Sequence, residues 1–474
     1  MPDILTPDLC VIGAGAGGLA VATGAAALGA KVVLLEKRRM GGQRLHSACI
    51  PTKALLVAAK AAHGVHHAAE FGIGAVELDV NYSKVRDHIA RVMARRAPYD
   101  TPKRLRGLGV EVIESSGHFI NSDTFGAESC LIKARVFVLA TGSSPVIPAL
   151  PGLEMIRYLT TDTWLNDKIL PKQLLILGAE PRALEIGQAY QRLGSNVTLI
   201  DGGQALAGID PELTRPALAA CRREGVVILE ASFITQLVPR GPGLRAFIDG
   251  PEGKAVMDAS HLLLAVGRHP NVHSLGLEAA GVPIVGGRIS VDARLRTANK
   301  AIYAVGDVAG EGCFSHLAEH QADIVLRNAL LGQRVRPQMS QMPRVVYSDP
   351  EIAEIGLSEA QAQATGHKVA VYRWPLAESD RARIDHKESG LIKIITRRNG
   401  TILGVGIVGE AAGEMLAPWS LALQNGLKLS DLALVQLPFP SQSAILRRAA
   451  MQAPGTGPQP SGIARLMTLF RWRR

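Results

Sequence analysis

Gly13, Gly15 and Gly18, within Val11-Ile12-Gly13-Ala14-Gly15-Ala16-Gly17-Gly18, are the first residues of the chain whose type and spacing can do chemistry. In a strand-to-helix turn the first glycine permits the tight bend and the second lets the backbone approach a pyrophosphate. The third allows close helix-strand packing, while the helix N-terminus faces the phosphate charge. Glu36 follows where an acidic side chain accepts hydrogen bonds from the ribose of an adenine nucleotide. Glycine is 49 of 474 residues, so this spacing arises by chance about 0.5 times in such a chain. The surrounding elements therefore have to carry the reading.

Those elements agree with it. Asp8 to Ile12 reads as a short strand, Leu19 to Leu28 as an Ala-rich helix and Lys31 to Leu35 as a second strand. A length of 474 residues leaves room for about three domains. Composition is 47% hydrophobic, 20% charged and only 4% aromatic, which fits a Gly/Ala-rich α/β enzyme and excludes a disordered chain. The net charge of +10 suits an anionic partner. The basic residues are mostly scattered and no nucleic-acid motif accompanies them, so nucleic acid is not expected. Cys10, Cys49, Cys130, Cys221 and Cys313 are odd in number and widely spaced, which gives neither a disulfide framework nor a metal site and points to a reducing compartment. Cys10, between apolar neighbours, reads as a buried structural thiol, and Cys313 near His316 as coincidence. Met1 to Leu9 lacks a basic n-region and apolar h-region, and no uncharged apolar run reaches 18 residues. A cytoplasmic protein is the expectation.

Further along, Gly41-Gly42-Gln43-Arg44-Leu45-His46-Ser47-Ala48-Cys49-Ile50-Pro51-Thr52-Lys53 resembles the redox segment of the flavoprotein pyridine-nucleotide disulfide oxidoreductases, the family of glutathione reductase, dihydrolipoamide dehydrogenase and mercuric reductase. Val138-Leu139-Ala140-Thr141-Gly142-Ser143-Ser144-Pro145, Leu264 to Asn271, and Ala301-Ile302-Tyr303-Ala304-Val305-Gly306-Asp307 are similar to later family segments, in the family's order. Tyr347 to Ala353 and Ile355 to Glu359 resemble the start of its dimerisation domain. Asp380-Arg381-Ala382 and His316 to Ala322 lean toward the mercuric-reductase-like branch, without naming a substrate.

The resemblance implies an α/β fold with two Rossmann-like dinucleotide-binding domains, of FAD and NAD type, plus a C-terminal α+β dimerisation domain. The implied bounds are 1–158 with 280–335 for FAD, 159–279 for NAD(P), 336–452 for dimerisation, and 453–474 for a linker and tail. It implies FAD held by Gly13, Gly15, Gly18, Glu36, Gly42, Lys53, Gly117, Thr141, Gly142, Gly267, Gly306 and Asp307, the last on the ribityl chain. Gly178 and Asp201 fall in the nicotinamide site, Lys53 and Glu185 pair beside the flavin, and Cys49 takes the flavin-proximal place. Cys49, Lys53 and Glu185 are the candidate catalytic residues, and a homodimer is the implied assembly.

Three departures cut across that scheme. Where the family has a second cysteine, five residues before Cys49, stands Arg44, so no disulfide forms within this loop. Leu437-Pro438-Phe439-Pro440-Ser441-Gln442-Ser443-Ala444 aligns with the family's His-Pro-Thr-x-x-Glu, and neither Phe439 nor Ala444 shuttles protons near neutral pH. In Gly178-Ala179-Glu180-Pro181-Arg182-Ala183-Leu184-Glu185 only the first of three glycines remains. Glu180 then puts a charge where a pyrophosphate would lie, and like charges about 5 Å apart repel by roughly 3 kcal/mol at an effective dielectric of 20. Arg182, or a turned-away Glu180, offsets this. Asp201 favours a free 2'-hydroxyl, hence NADH over NADPH where a nicotinamide cofactor binds.

The expectation is an FAD-dependent oxidoreductase passing electrons through flavin, with or without Cys49, to a small-molecule or protein acceptor. Two alternatives stay open: a single-thiol peroxidase or reductase cycling Cys49, and a non-enzymatic FAD-binding redox sensor or scaffold. After the Pro/Gly-rich stretch Pro454 to Gly462, the apolar Ile463, Leu466, Met467 and Phe470 alternate with Arg465, Arg471, Arg473 and Arg474. This reads either as a basic amphipathic helix for an anionic membrane surface or as a solubilising tail.

Overall fold

The computed structural model describes residues 3–74, 79–310, 312–366 and 368–453; the tail expectation falls outside them. The chain divides into two compact units, residues 1–205 with 225–337, and 206–224 with 338–474.

In the first unit the strand Leu9–Ile12 is the centre of a five-stranded parallel sheet. Val32–Leu35 and then Val110–Ile113 lie on one side, Val136–Leu139 and then Ile302–Ala304 on the other. Its unbroken apolar run is buried throughout, as a strand covered on both faces requires. Helix α1 (Ala16–Ala27) leaves this strand, and α2 (Cys49–His67) begins at the cysteine itself. The sequence places the start of α1 at Leu19, three residues late. Gly17 and Gly18 are poor helix formers, but a Cβ on Gly18 would lie 1.8 Å from the Gly13 carbonyl oxygen, so packing overrides propensity.

The same plan recurs. Gln173–Leu177 is the centre of a second parallel sheet, flanked by Asn196–Ile200 and Val227–Leu229 on one side and by His261–Leu264 and Tyr158–Thr160 on the other. Helix α3 (Pro181–Arg192) leaves the central strand as α1 does in the first sheet. An antiparallel meander, Phe233–Arg240, Gly243–Gly250 and Gly253–Ala259, precedes the return strand. Helix α4 (Ser315–Ala329) packs on α1.

The second unit is built on an antiparallel sheet in the order Arg344–Val346, Glu351–Gly356, Ile402–Gly409, Leu391–Arg397, Val369–Pro375. Its apolar core surrounds the fully buried Trp419. The helix Pro211–Arg223 belongs to this unit and packs on the sheet. Lys393, 3% exposed, joins them by pairing with Asp210 and Glu212 at 2.7 Å and with Glu359 at 2.9 Å. Two Rossmann-like sheets and an α+β second unit make the fold class α/β as expected. Among the described residues no helix is long and apolar enough to cross a membrane, and no group of three or more His, Cys, Asp or Glu residues is placed to hold a metal.

Candidate flavin site and redox residues

A cleft of about 730 Å³ opens over the first parallel sheet, in the size range of cofactor sites. Gly13 begins the turn with φ +105°, and a Cβ there would meet the Ala140 carbonyl at 2.4 Å. Only glycine fits both demands. Gly15, the N-cap of α1, has open space where its Cβ would be, as a backbone that a ligand approaches must. Glu36 is pinned at the end of Val32–Leu35 by the Ala14 N–H at 2.7 Å and the Arg38 N–H at 2.8 Å. Gly42, Gly117, Thr141, Gly142, Gly306 and Asp307 also line the cleft, whereas Gly18 packs beneath the turn. Asn271 holds the Thr141-Gly142 segment: its amide donates to the Thr141 carbonyl at 2.9 Å, and its carbonyl accepts from the Thr141 hydroxyl at 2.8 Å. Ser143 donates to Asp307 at 2.5 Å. Gly267, with φ +102°, lies outside the cleft and extends the antiparallel pairing of Ser143–Pro145 with Arg268–Pro270 by accepting from Val146 N–H.

Cys49 is exposed in the cleft, with its Sγ 3.3 Å from the Ser315 hydroxyl at the start of α4. Arg44 is not a free substitute for a thiol. It pairs with Glu319 on α4 and, at 3.6 Å, with Asp100, which also holds Arg96 at 3.0 Å. Cys313 lines the same cleft, where burial and the neighbouring Asp307 push its thiol up to about 11. Cys10 is wholly buried, and burial drives its thiol far above the ordinary range.

Lys53 on α2 and Glu185 on α3 meet at 2.6 Å, with the glutamate side chain 5% exposed. Neither lines the cleft; they lie where α2 packs on α3. In the second turn Gly178 has φ +110°, and Asp201 accepts the Ala179 N–H at 2.8 Å. Gly178 and Asp201 are thus brought together with each other and stand apart from the cleft lining. Glu180 is the N-cap of α3 and makes no capping hydrogen bond. Burial raises its pKa, Arg182 and Arg268 oppose the rise, and Asp201 adds to it.

Arg268 is the residue whose role the sequence leaves unread. Its side chain is 4% exposed and pairs with Asp162 at 2.9 Å, while Nε donates to the Ser143 hydroxyl at 2.9 Å and Nη2 to the Ser143 carbonyl at 2.8 Å. It ties the segment that re-enters from the second sheet to the cleft wall. Its place between Gly267 and His269 in a motif-like segment is the signal available in the sequence.

Two parallel sheets, each opening in a glycine turn at its central strand, define a two-nucleotide enzyme class. Residues 7–328 match the family model "Pyridine nucleotide-disulphide oxidoreductase" and residues 342–450 match its dimerisation domain. The chain belongs to the pyridine nucleotide-disulphide oxidoreductase family. It is 31% identical to a dihydrolipoyl dehydrogenase of Geobacillus stearothermophilus, covering 95% of this chain and 96% of that one. It is 32% identical to a mercuric reductase of Streptomyces lividans, covering 94% and 95%. Among solved structures it is similar to the Cu(II) complex of the HOCl-induced flavoprotein disulfide reductase RclA from Escherichia coli, with TM-score 0.83 and 25% identity over 93% of this chain and 98% of that one.

Proposed function

We propose that the chain is an FAD-dependent, NADH-linked oxidoreductase that passes electrons from flavin to a small-molecule or protein acceptor without a redox disulfide. One observation carries the reading: the position of the second thiol holds Arg44, committed to Glu319 and Asp100. FAD supplies two-electron uptake and release when bound. The cleft fits it, because Gly15 leaves room for a pyrophosphate, Glu36 is pre-oriented for a ribose, and Asp307 lines the same cleft. Lys53, held by Glu185 outside the cleft lining, acts on the flavin's potential through its charge and not by contact.

A second reading is a single-thiol route through Cys49, favoured by its exposure in the cleft and its contact with Ser315. A homodimer is the assembly that residues 342–450 serve. Anaerobic mixing with NADH and with NADPH, following flavin bleaching, tests the proposal. Bleaching within seconds, faster with NADH, supports it. No bleaching by either removes the NADH link and leaves a flavin-binding sensor or another donor. Cys49→Ser keeps the yellow flavin in both readings and abolishes acceptor turnover only in the second.

A further inference from the structure

The second turn repeats the first in its backbone and departs from it in its side chains. Gly13 and Gly178 have φ of +105° and +110°. Ala14 N–H reaches Glu36 at 2.7 Å, and Ala179 N–H reaches Asp201 at 2.8 Å. In each turn the other carboxylate oxygen takes a further backbone N–H at 2.8 Å, from Arg38 and from Gly203. The divergence begins two residues after the glycine. There α1 has Gly15 with open space, whereas α3 has Glu180 at the N-cap and Pro181 behind it. A phosphate at a helix N-terminus is held by backbone N–H groups and the helix dipole. Proline removes one such donor, and Glu180 adds an opposing charge.

Charged groups surround Glu180 from each neighbouring element. Arg182 stands on its own helix, Arg268 on the strand Arg268–Pro270, and Asp201 after Asn196–Ile200. Arg268 is already bound to Asp162. With Glu180 ionised, three carboxylates therefore oppose two guanidinium groups, and with it protonated the cluster is neutral. Arg182, which also lines the flavin cleft, has a buried Nη1 that meets no acceptor among the described residues, which leaves a donor for an entering anion.

We propose that Glu180 makes nicotinamide-dinucleotide binding at this turn proton-linked: the pyrophosphate enters as Glu180 takes up a proton, and Arg182 donates to it. The inference rests on the NADH-linked reading above. Its sign follows from linkage. An anion beside Glu180 raises the carboxyl's pKa further, so the complex holds more protons than the free protein and affinity falls as pH rises.

The test is calorimetric titration of the flavin-loaded protein with NAD⁺ from pH 5.5 to 8.5, in two buffers of different protonation heat, repeated for Glu180→Gln and Glu180→Gly. The expected wild-type result is a Kd rising by up to about tenfold per pH unit, with net proton uptake on binding. Glu180→Gln is expected to bind with a flat pH profile and no uptake, and Glu180→Gly to bind more tightly and also flatly. A slope and uptake that persist in Glu180→Gln overturn the inference, as does pH-independent binding by the wild type. If neither wild type nor Glu180→Gly binds NAD⁺ at any pH, the nicotinamide reading falls with it.

Discussion

Lys53 and Glu185 are separated by 132 residues and share a 2.6 Å ion pair. The pairing is invisible to composition, because Lys and Glu are common surface residues; the family-like order of the segments around them made it legible. Removing the lysine takes a cationic partner at 2.6 Å from a carboxylate that is only 5% exposed, and a buried charge that loses an ion-pair partner destabilises the fold. Lys53→Met is therefore expected to lower the thermal midpoint by several degrees and to slow anaerobic flavin reduction by about tenfold or more. Unchanged melting and stopped-flow traces would remove the pair from both roles. Arg268 shows the opposite side of legibility. Its partners Asp162 and Ser143 lie more than a hundred positions away, and the motif-like segment around it marks the position without revealing a buried guanidinium hub.

At the scale of elements, the turn around Gly13 and Gly18 was readable because its residue types answer strict steric demands. Gly18→Ala would press a Cβ to 1.8 Å from Gly13 O and is expected to yield colourless protein, with FAD affinity reduced more than about a hundredfold by flavin-fluorescence titration. Retention of full flavin would refute that. What the sequence could not give was the start of α1, since propensity alone argues against Gly17 and Gly18 in a helix, or the placement of Pro211–Arg223, whose contacts with the antiparallel sheet depend on distant residues. That helix is fastened by the ion cluster on Lys393. Arg373 and Lys393 hold Glu212 down to about 2, below its unfolded value near 4.5. Its contribution is thus complete above about pH 4.5 and lost as pH falls toward 2. Urea titrations across this window should show stability declining with acid, and Lys393→Met should flatten the decline while destabilising the neutral protein. An undiminished decline in that variant would sink the assignment.

For the whole molecule, two similar sheets and a separate α+β unit were legible as an order of segments. The assignment of 206–224 to the second unit was not, because it is a matter of contacts rather than sequence order. The basic stretch after Gly462 invites a liposome test: stronger co-sedimentation of the full chain with anionic vesicles than of one ending at Ala453 would mark a membrane-surface helix, and equal pelleting would leave a solubilising tail. The anchoring of Arg44 reaches further, into how many reducing equivalents one subunit can store. A flavin paired with a loop disulfide holds four electrons. With a guanidinium fixed in the second thiol's place, the FAD proposed above has no loop disulfide beside it, and the expected store is the flavin's own two. Each protomer then becomes a two-electron accumulator that must discharge before it can accept another hydride, so a dithionite titration should end at one equivalent per flavin.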